Sequence, residues 1–303
     1  MHVNPLVRGV IRPVRGGPLG KDSAMPVLHT ARRRCGAALL AGAALAAVTL
    51  GAPAAATSSP AAATGSIAVA PDLGAYDAYY DSAYGKSGEQ LRAALHDIVS
   101  EQTTLSYSQV WDALRATDED PDDPSSVVLL YSGYSKSKYD NGGNVDDWNR
   151  EHVWAKSHGD FGTSRGPGTD LHHLRPTDVT VNSARGNKDF DHGGSPVHQA
   201  PESRTDGDSF EPRDAVKGDV ARMIFYMAVR YEGGDSHADL ELNDQVGNGS
   251  APYMGRLSVL KQWHEQDPPD AFESRRNDII HDTYQGNRNP FIDHPEWADS
   301  IWP

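Results

Sequence analysis

The sequence predicts a single α+β domain dominated by helices, with a small β element around residues 148 to 176. Apolar residues recur at helical spacing in segments near residues 87–100, 107–116, 214–232 and 271–284. Residues 150–176 instead break into short strand-like runs around a Gly-rich connection. No internal repeat divides the chain.

Taken in chain order, residues 1–56 read as a cleaved secretion signal. Arg32, Arg33 and Arg34 precede an apolar, Ala-rich run from Cys35 to Ala56, and Met25 is an alternative start. A retained membrane anchor is the competing reading of that run; nothing after residue 60 is apolar enough to span a bilayer. The sole cysteine, Cys35, falls within the segment to be removed, so the mature chain is expected to fold without disulfides. Residues 57–70, rich in Ala, Ser, Thr and Pro, predict a disordered linker, and residues 71–303 the folded domain.

In that domain Ser87 with Gln90 offers a capping box for a helix whose Leu91, Leu95, Ile98 and Val99 share a face. Ser106 with Gln109 repeats the device before a second short helix. The acidic stretch 118–126 reads as a solvated connection, and VVLLYSG (127–133) as a short buried strand or core segment closed by Gly133. Val216, Val220, Met223 and Met227 mark an apolar helix at the centre of the core. Asp270 with Glu273 caps a further helix, with Phe272, Ile279 and Ile280 inward, and QGNRNPFIDHP (285–295) is too rich in Gly, Asn and Pro to continue it.

Catalytic residue types concentrate in REHVWAKSHGDFGTSRGPGTDLHHLRPTDVTVNSARGN, residues 150–187. It parses as strand (REHVWAKS), Gly-rich connection, strand (DLHHLRP) and a short helix opening at Pro176 or Thr177 and ending near Gly186. Glu151 and His152 are adjacent, and neighbours on a strand point to opposite faces. They can share a site if the strand ends, bulges or twists there. A net charge of -14 argues against a broad phosphate-binding surface. Residues 150–190 are nearly neutral, since Arg150, Lys156, Arg165, Arg175, Arg185 and Lys188 offset their carboxylates, so a local cationic track can coexist with an acidic body.

The segments NREHVWAKSHG, DLHHLRPTDVTVNSARGN, GDVARMIFYMAVRY and RRNDIIHDTYQGNRNPFID, in this order, resemble the secreted bacterial endonuclease I family, from about Tyr79 to Pro295. The resemblance implies a ββα-metal (His-Me) finger embedded in the domain. It also implies hydrolysis of DNA, with RNA as a further substrate, without sequence preference and leaving 5′-phosphates. In this reading His152 is the general base and Glu151 and Asn182 are the metal ligands. Their hard oxygens favour Mg²⁺, with Ca²⁺ or Mn²⁺ as alternatives. His173 is expected to support the metal shell, Arg165 to clamp the scissile phosphate, and Arg150 and Arg185 to bind nucleic acid. The mature enzyme is expected to be extracellular, monomeric and free of the membrane. Two other readings compete: a zinc hydrolase built on the His cluster, although no HExxH is present, and a non-catalytic secreted binding protein on a nuclease fold.

Overall fold

A computed structural model describes residues 77–303 of the chain. The secretion signal, Met25, Cys35, the linker and the first residues of the expected domain lie outside the described residues.

The architecture is mixed α+β. Helix α1 (Gly88–Ser100) and helix α2 (Gln109–Thr117) come first. The second is entered through the expected reciprocal cap: Ser106 N–H donates to Gln109 Oε1 at 2.8 Å and Gln109 N–H to Ser106 Oγ at 3.4 Å. The first begins at Ser87, but that side chain makes no capping bond. A hairpin of β1 (Ser126–Val128) and β2 (Ser135–Ser137) follows, then β3 (Trp148–His152) antiparallel to β4 (Leu174–Asp178), then helix α3 (Val179–Arg185).

Both strands of this unit overlap the expected ones but are shifted along the chain. The first starts at Trp148 and ends at His152, and the second runs through Pro176 to Asp178. Helix α3 therefore opens at Val179. The reason is the cap: Asp178 Oδ1 accepts from Thr180 N–H at 2.7 Å and Val181 N–H at 3.3 Å, which holds the backbone extended up to Asp178. Gly186, at φ 61, closes the helix and donates its N–H to Asn182 O at 2.8 Å.

The β content exceeds one small element. A four-stranded sheet of order β5-β8-β7-β6 is built from β5 (Asp189–Phe190), β6 (Ser195–Val197), β7 (Ala200–Thr205) and β8 (Ser209–Glu211). Its strands are too short, and too rich in Pro, Ser and charge, to register as periodic runs. Helix α4 (Lys217–Arg230) is buried from Gly218 to Arg230, because α1 and later helices pack around it. A short parallel pair, β9 (Glu241–Leu242) with β10 (Tyr253–Met254), precedes α5 (Leu257–Gln266) and α6 (Ala271–Ile279), the latter continued by a π-helical turn Ile280–Gln285.

Asp270 caps α6 through Phe272 and Glu273 N–H. The inward face of α6 is not the expected one, however. Phe272 and Ile279 are half-buried, while Glu273, Arg276 and Asn277 are buried with Ile280. They join an ionic network: Arg222 Nε donates to Glu273 Oε1 at 2.9 Å, and Asp118 accepts from Arg175 at 2.5 Å and from Arg276 at 3.3 Å. Opposed charges pay their desolvation only when paired and hydrogen-bonded in this way. The segment after α6, expected to be irregular, contains one helical turn, α7 (Pro290–Asp293), started by Asn289 Oδ1 accepting from Phe291 N–H; α8 (Trp297–Ile301) follows. Among the described residues no helix is long and apolar enough to cross a membrane.

Candidate active site

β3 pairs with β4 without a bulge, Glu151 opposite Arg175 and His152 opposite Leu174. Alternation thus turns Asn149 and Glu151 to one face and Arg150 and His152 to the other. The second edge of β3 carries a single bridge, from Trp148 to Asn141. A cleft of about 340 Å³ is lined by Asn149, Arg150, Glu151 and His152 in succession, together with Tyr107, Trp111, Lys156, Ser157, Asn182 and Arg185. An edge strand that ends at His152 lets side chains from both of its faces meet in one cavity.

On the first face, α3 packs against the hairpin. Glu151 is 1 % exposed, and its Oε1 accepts from Tyr131 O–H at 2.8 Å and lies 3.2 Å from Arg185 Nη1. Burial pushes the Glu151 carboxyl up, and Arg185 and Tyr131 oppose that shift. Asn182 donates its amide N–H to Asn149 Oδ1 at 2.7 Å. Glu151 Oε2 and Asn182 Oδ1 accept nothing from the chain among the described residues, and neither is a sealed, unpaired atom. Two hard oxygens open to one cleft are a donor set suited to Mg²⁺, Ca²⁺ or Mn²⁺.

On the second face, His152 donates from Nε2 to Gly168 O at 3.1 Å. That bond puts the proton on Nε2 and leaves Nδ1 as an acceptor toward the cleft, again not sealed off. Burial, reinforced by nearby His173, holds the His152 pKa well below the ordinary histidine range, so the ring is neutral at pH 7. Gly168 lies in the 3-10 turn Pro167–Thr169, pressed against the Gly-rich connection. A Cβ on Gly168 would stand 2.7 Å from Gly162 O and 2.8 Å from Thr163 Cα, so a glycine is required there.

The cations are used unequally. Arg185 is buried and donates to the carbonyls of His152 at 2.8 Å and Val153 at 2.6 Å, bracing the end of β3. The guanidinium carbon of Arg150 sits over Tyr107 and Trp111, 3.4 and 4.0 Å from their ring centroids, and Nη1 donates to Tyr107 O at 2.5 Å. Arg165 is exposed, donates to Thr104 O and does not line the cleft. Lys156, given no individual role by the sequence, is exposed at the cleft, and its ammonium makes no hydrogen bond or ion pair among the described residues. Tyr131 and Asn149 also escape a sequence reading, since their partners are fixed only by packing.

His172 and His173 precede β4 rather than alternating along it, and both are buried. His172 Nε2 lies 3.2 Å from Asn287 O, and His173 Nε2 lies 2.7 Å from Pro167 O. Burial depresses each pKa to about 4. His158, also buried, lies 2.7 Å from Tyr253 O through Nδ1. The four imidazoles thus bond to four separate carbonyls. Among the described residues no three His, Cys, Asp or Glu side chains converge as a metal-holding group. Asn287, Arg288 and Asn289 are buried and tie the C-terminal loop to α1, α4 and α7.

Residues 87–296 match the family Endonuclease I. An extracellular ribonuclease of Bacillus amyloliquefaciens is 69% identical over 226 residues, 75% of this chain and 78% of its own length. An extracellular ribonuclease of Bacillus subtilis (strain 168) is 68% identical over 227 residues, 75% and 79% of the two chains. An extracellular deoxyribonuclease of Aeromonas hydrophila is 33% identical over 129 residues, 41% of this chain and 49% of that one.

Proposed function

The chain belongs to the endonuclease I family and is an endonuclease that hydrolyses phosphodiester bonds, and on that footing we propose that it is a secreted, sequence-non-specific nuclease of RNA as well as DNA, dependent on a hard divalent cation and leaving 5′-phosphates. RNA is given first place because the two relatives near 70% identity are named ribonucleases. The observation that carries the reading is one cleft holding an imidazole open at Nδ1 beside two open oxygen donors. The β3–β4–α3 unit is the part of the fold that we assign as the ββα-metal finger.

In this mechanism His152 Nδ1 takes a proton from water as its oxygen bonds to phosphorus; the P–O3′ bond breaks, and the departing 3′-oxygen is protonated from solvent. General-base assistance of this kind contributes roughly 10²- to 10⁴-fold. Glu151 and Asn182 would hold the cation, which when bound supplies charge neutralisation at the phosphate and at the leaving oxygen. Lys156, the uncommitted ammonium of the cleft, meets a phosphate oxygen, while Arg185 holds the β3 backbone and Glu151 in place. The histidine arrangement gives no support to a zinc hydrolase, because among the described residues no three His, Cys, Asp or Glu side chains converge on one point.

The purified protein incubated with RNA, single-stranded DNA and plasmid should cleave all three in Mg²⁺ and stop in excess EDTA. Undiminished cleavage in EDTA overturns the cation; intact RNA beside degraded DNA overturns the substrate order.

A further inference from the structure

We propose that His173 is a positioning residue for the general base, acting through the Pro167–Thr169 turn and not through the cation's ligands; the inference rests on the nuclease reading above. His173 Nε2 donates to Pro167 O at 2.7 Å, and His152 Nε2 donates to the next carbonyl, Gly168 O, at 3.1 Å. Two imidazoles, 5.6 Å apart between centroids, therefore grip successive carbonyls of one turn. The other nitrogen of His173, Nδ1, accepts from Trp154 N–H at 3.3 Å, two residues beyond His152. The His173 backbone carbonyl accepts from Val153 N–H at 3.1 Å as well. One residue thus ties the segment leaving the base to the turn that accepts the base's proton.

The geometry has a chemical consequence. His152 is a base at Nδ1 only while its proton resides on Nε2, and that tautomer is favoured by the Gly168 carbonyl. The carbonyl's direction depends on the turn, whose Gly-rich surroundings supply few side chains to hold it: Gly162, Gly166 and Gly168 occur within seven residues. His173 is fully buried and bonded at both nitrogens, so it is itself fixed in the Nε2–H form. No bond joins it to Glu151 or Asn182, which are held by Tyr131, Arg185 and Asn149.

The test compares the parent with His173→Ala and His173→Gln. Glutamine keeps an N–H donor near the place of Nε2. We expect kcat to fall on the order of 10²-fold in His173→Ala, the scale of a small misplacement of a reacting group. KM and Mg²⁺ affinity by calorimetry should stay within about threefold, the width of ordinary context effects, and His173→Gln should recover part of kcat. Long-range ¹H–¹⁵N spectra, with His152 assigned through His152→Ala, should show the Nε2–H tautomer in the parent and a mixture in His173→Ala. A parent His152 protonated on Nδ1 overturns the proposal without any variant, even if neither variant folds. So does a lower kcat with the tautomer unchanged, or a loss of Mg²⁺ affinity equal to the loss of kcat. Absence of cleavage by the parent refutes the nuclease reading instead, and the tautomer measurement still stands on its own.

Discussion

Glu151 and His152 are one peptide bond apart, yet they are held by different means. Glu151 is fixed by Tyr131 and Arg185 on the α3 side, and His152 by Gly168 on the other. Their roles should therefore separate on mutation. His152→Ala is expected to remove nearly all turnover while leaving Mg²⁺ affinity close to that of the parent. Glu151→Ala and Asn182→Ala should weaken Mg²⁺ binding, and activity should recover in part at high Mg²⁺. Calorimetric titration alongside RNA cleavage distinguishes these outcomes, and loss of Mg²⁺ binding in His152→Ala would reverse the assignments.

Among the elements, the turn at Pro167–Thr169 couples the Gly-rich connection to His152, the proposed base. Gly168 sits where a side chain cannot, since its missing Cβ would press on backbone atoms of Gly162 and Thr163, which cannot swing away as the end of a flexible side chain can. Gly168→Ala is expected to cost about 1–3 kcal/mol, as overpacking does elsewhere, and to lower kcat further than His173→Gln, because it displaces the carbonyl itself. Urea unfolding and initial rates measure the two effects. A stable, fully active Gly168→Ala would show that the turn does not govern His152. Helix α3 depends far less on such fits, because its start is set locally by the Asp178 cap and its end by Gly186.

For the molecule as a whole, buried titratable groups tie stability to pH. His172 and His173 have pKa values of about 4 in the fold, against 6.5 when exposed. Between those values the unfolded chain binds more protons than the native one, so stability must fall as pH drops from about 6.5 toward 4 and is independent of these two groups above 6.5. Each contributes a loss on the order of 3 kcal/mol at about 1.4 kcal/mol per pH unit. At lower pH, Asp170 adds to the loss: it accepts from Tyr226, Tyr231 and Gln285, and its carboxyl is held below the usual range by His172 and His173 and by such hydrogen bonds, against the opposing effect of burial. The urea midpoint should accordingly decline from pH 7 to pH 5. A midpoint that is flat or rising over that interval would contradict the burial of neutral imidazoles.

The sequence by itself determined the local parts of this protein: the Ser106–Gln109 cap, the Asp270 cap, the apolar helix around Met223 and the grouping of Glu151, His152 and Asn182 in one strand-strand-helix block. These are legible because their causes lie within a few residues of one another, in periodicity and capping chemistry. Tertiary structure alone decided which cations are spent on carbonyls and which one, Lys156, is left uncommitted at the cleft. It also decided that Tyr131 should hold Glu151 from twenty residues away, that α6 should turn Glu273 and Arg276 inward, and that His173 should bond to the turn that holds His152. Those outcomes depend on partners brought together by packing: a hydrogen bond needs an angle and a distance, and a one-dimensional pattern carries neither.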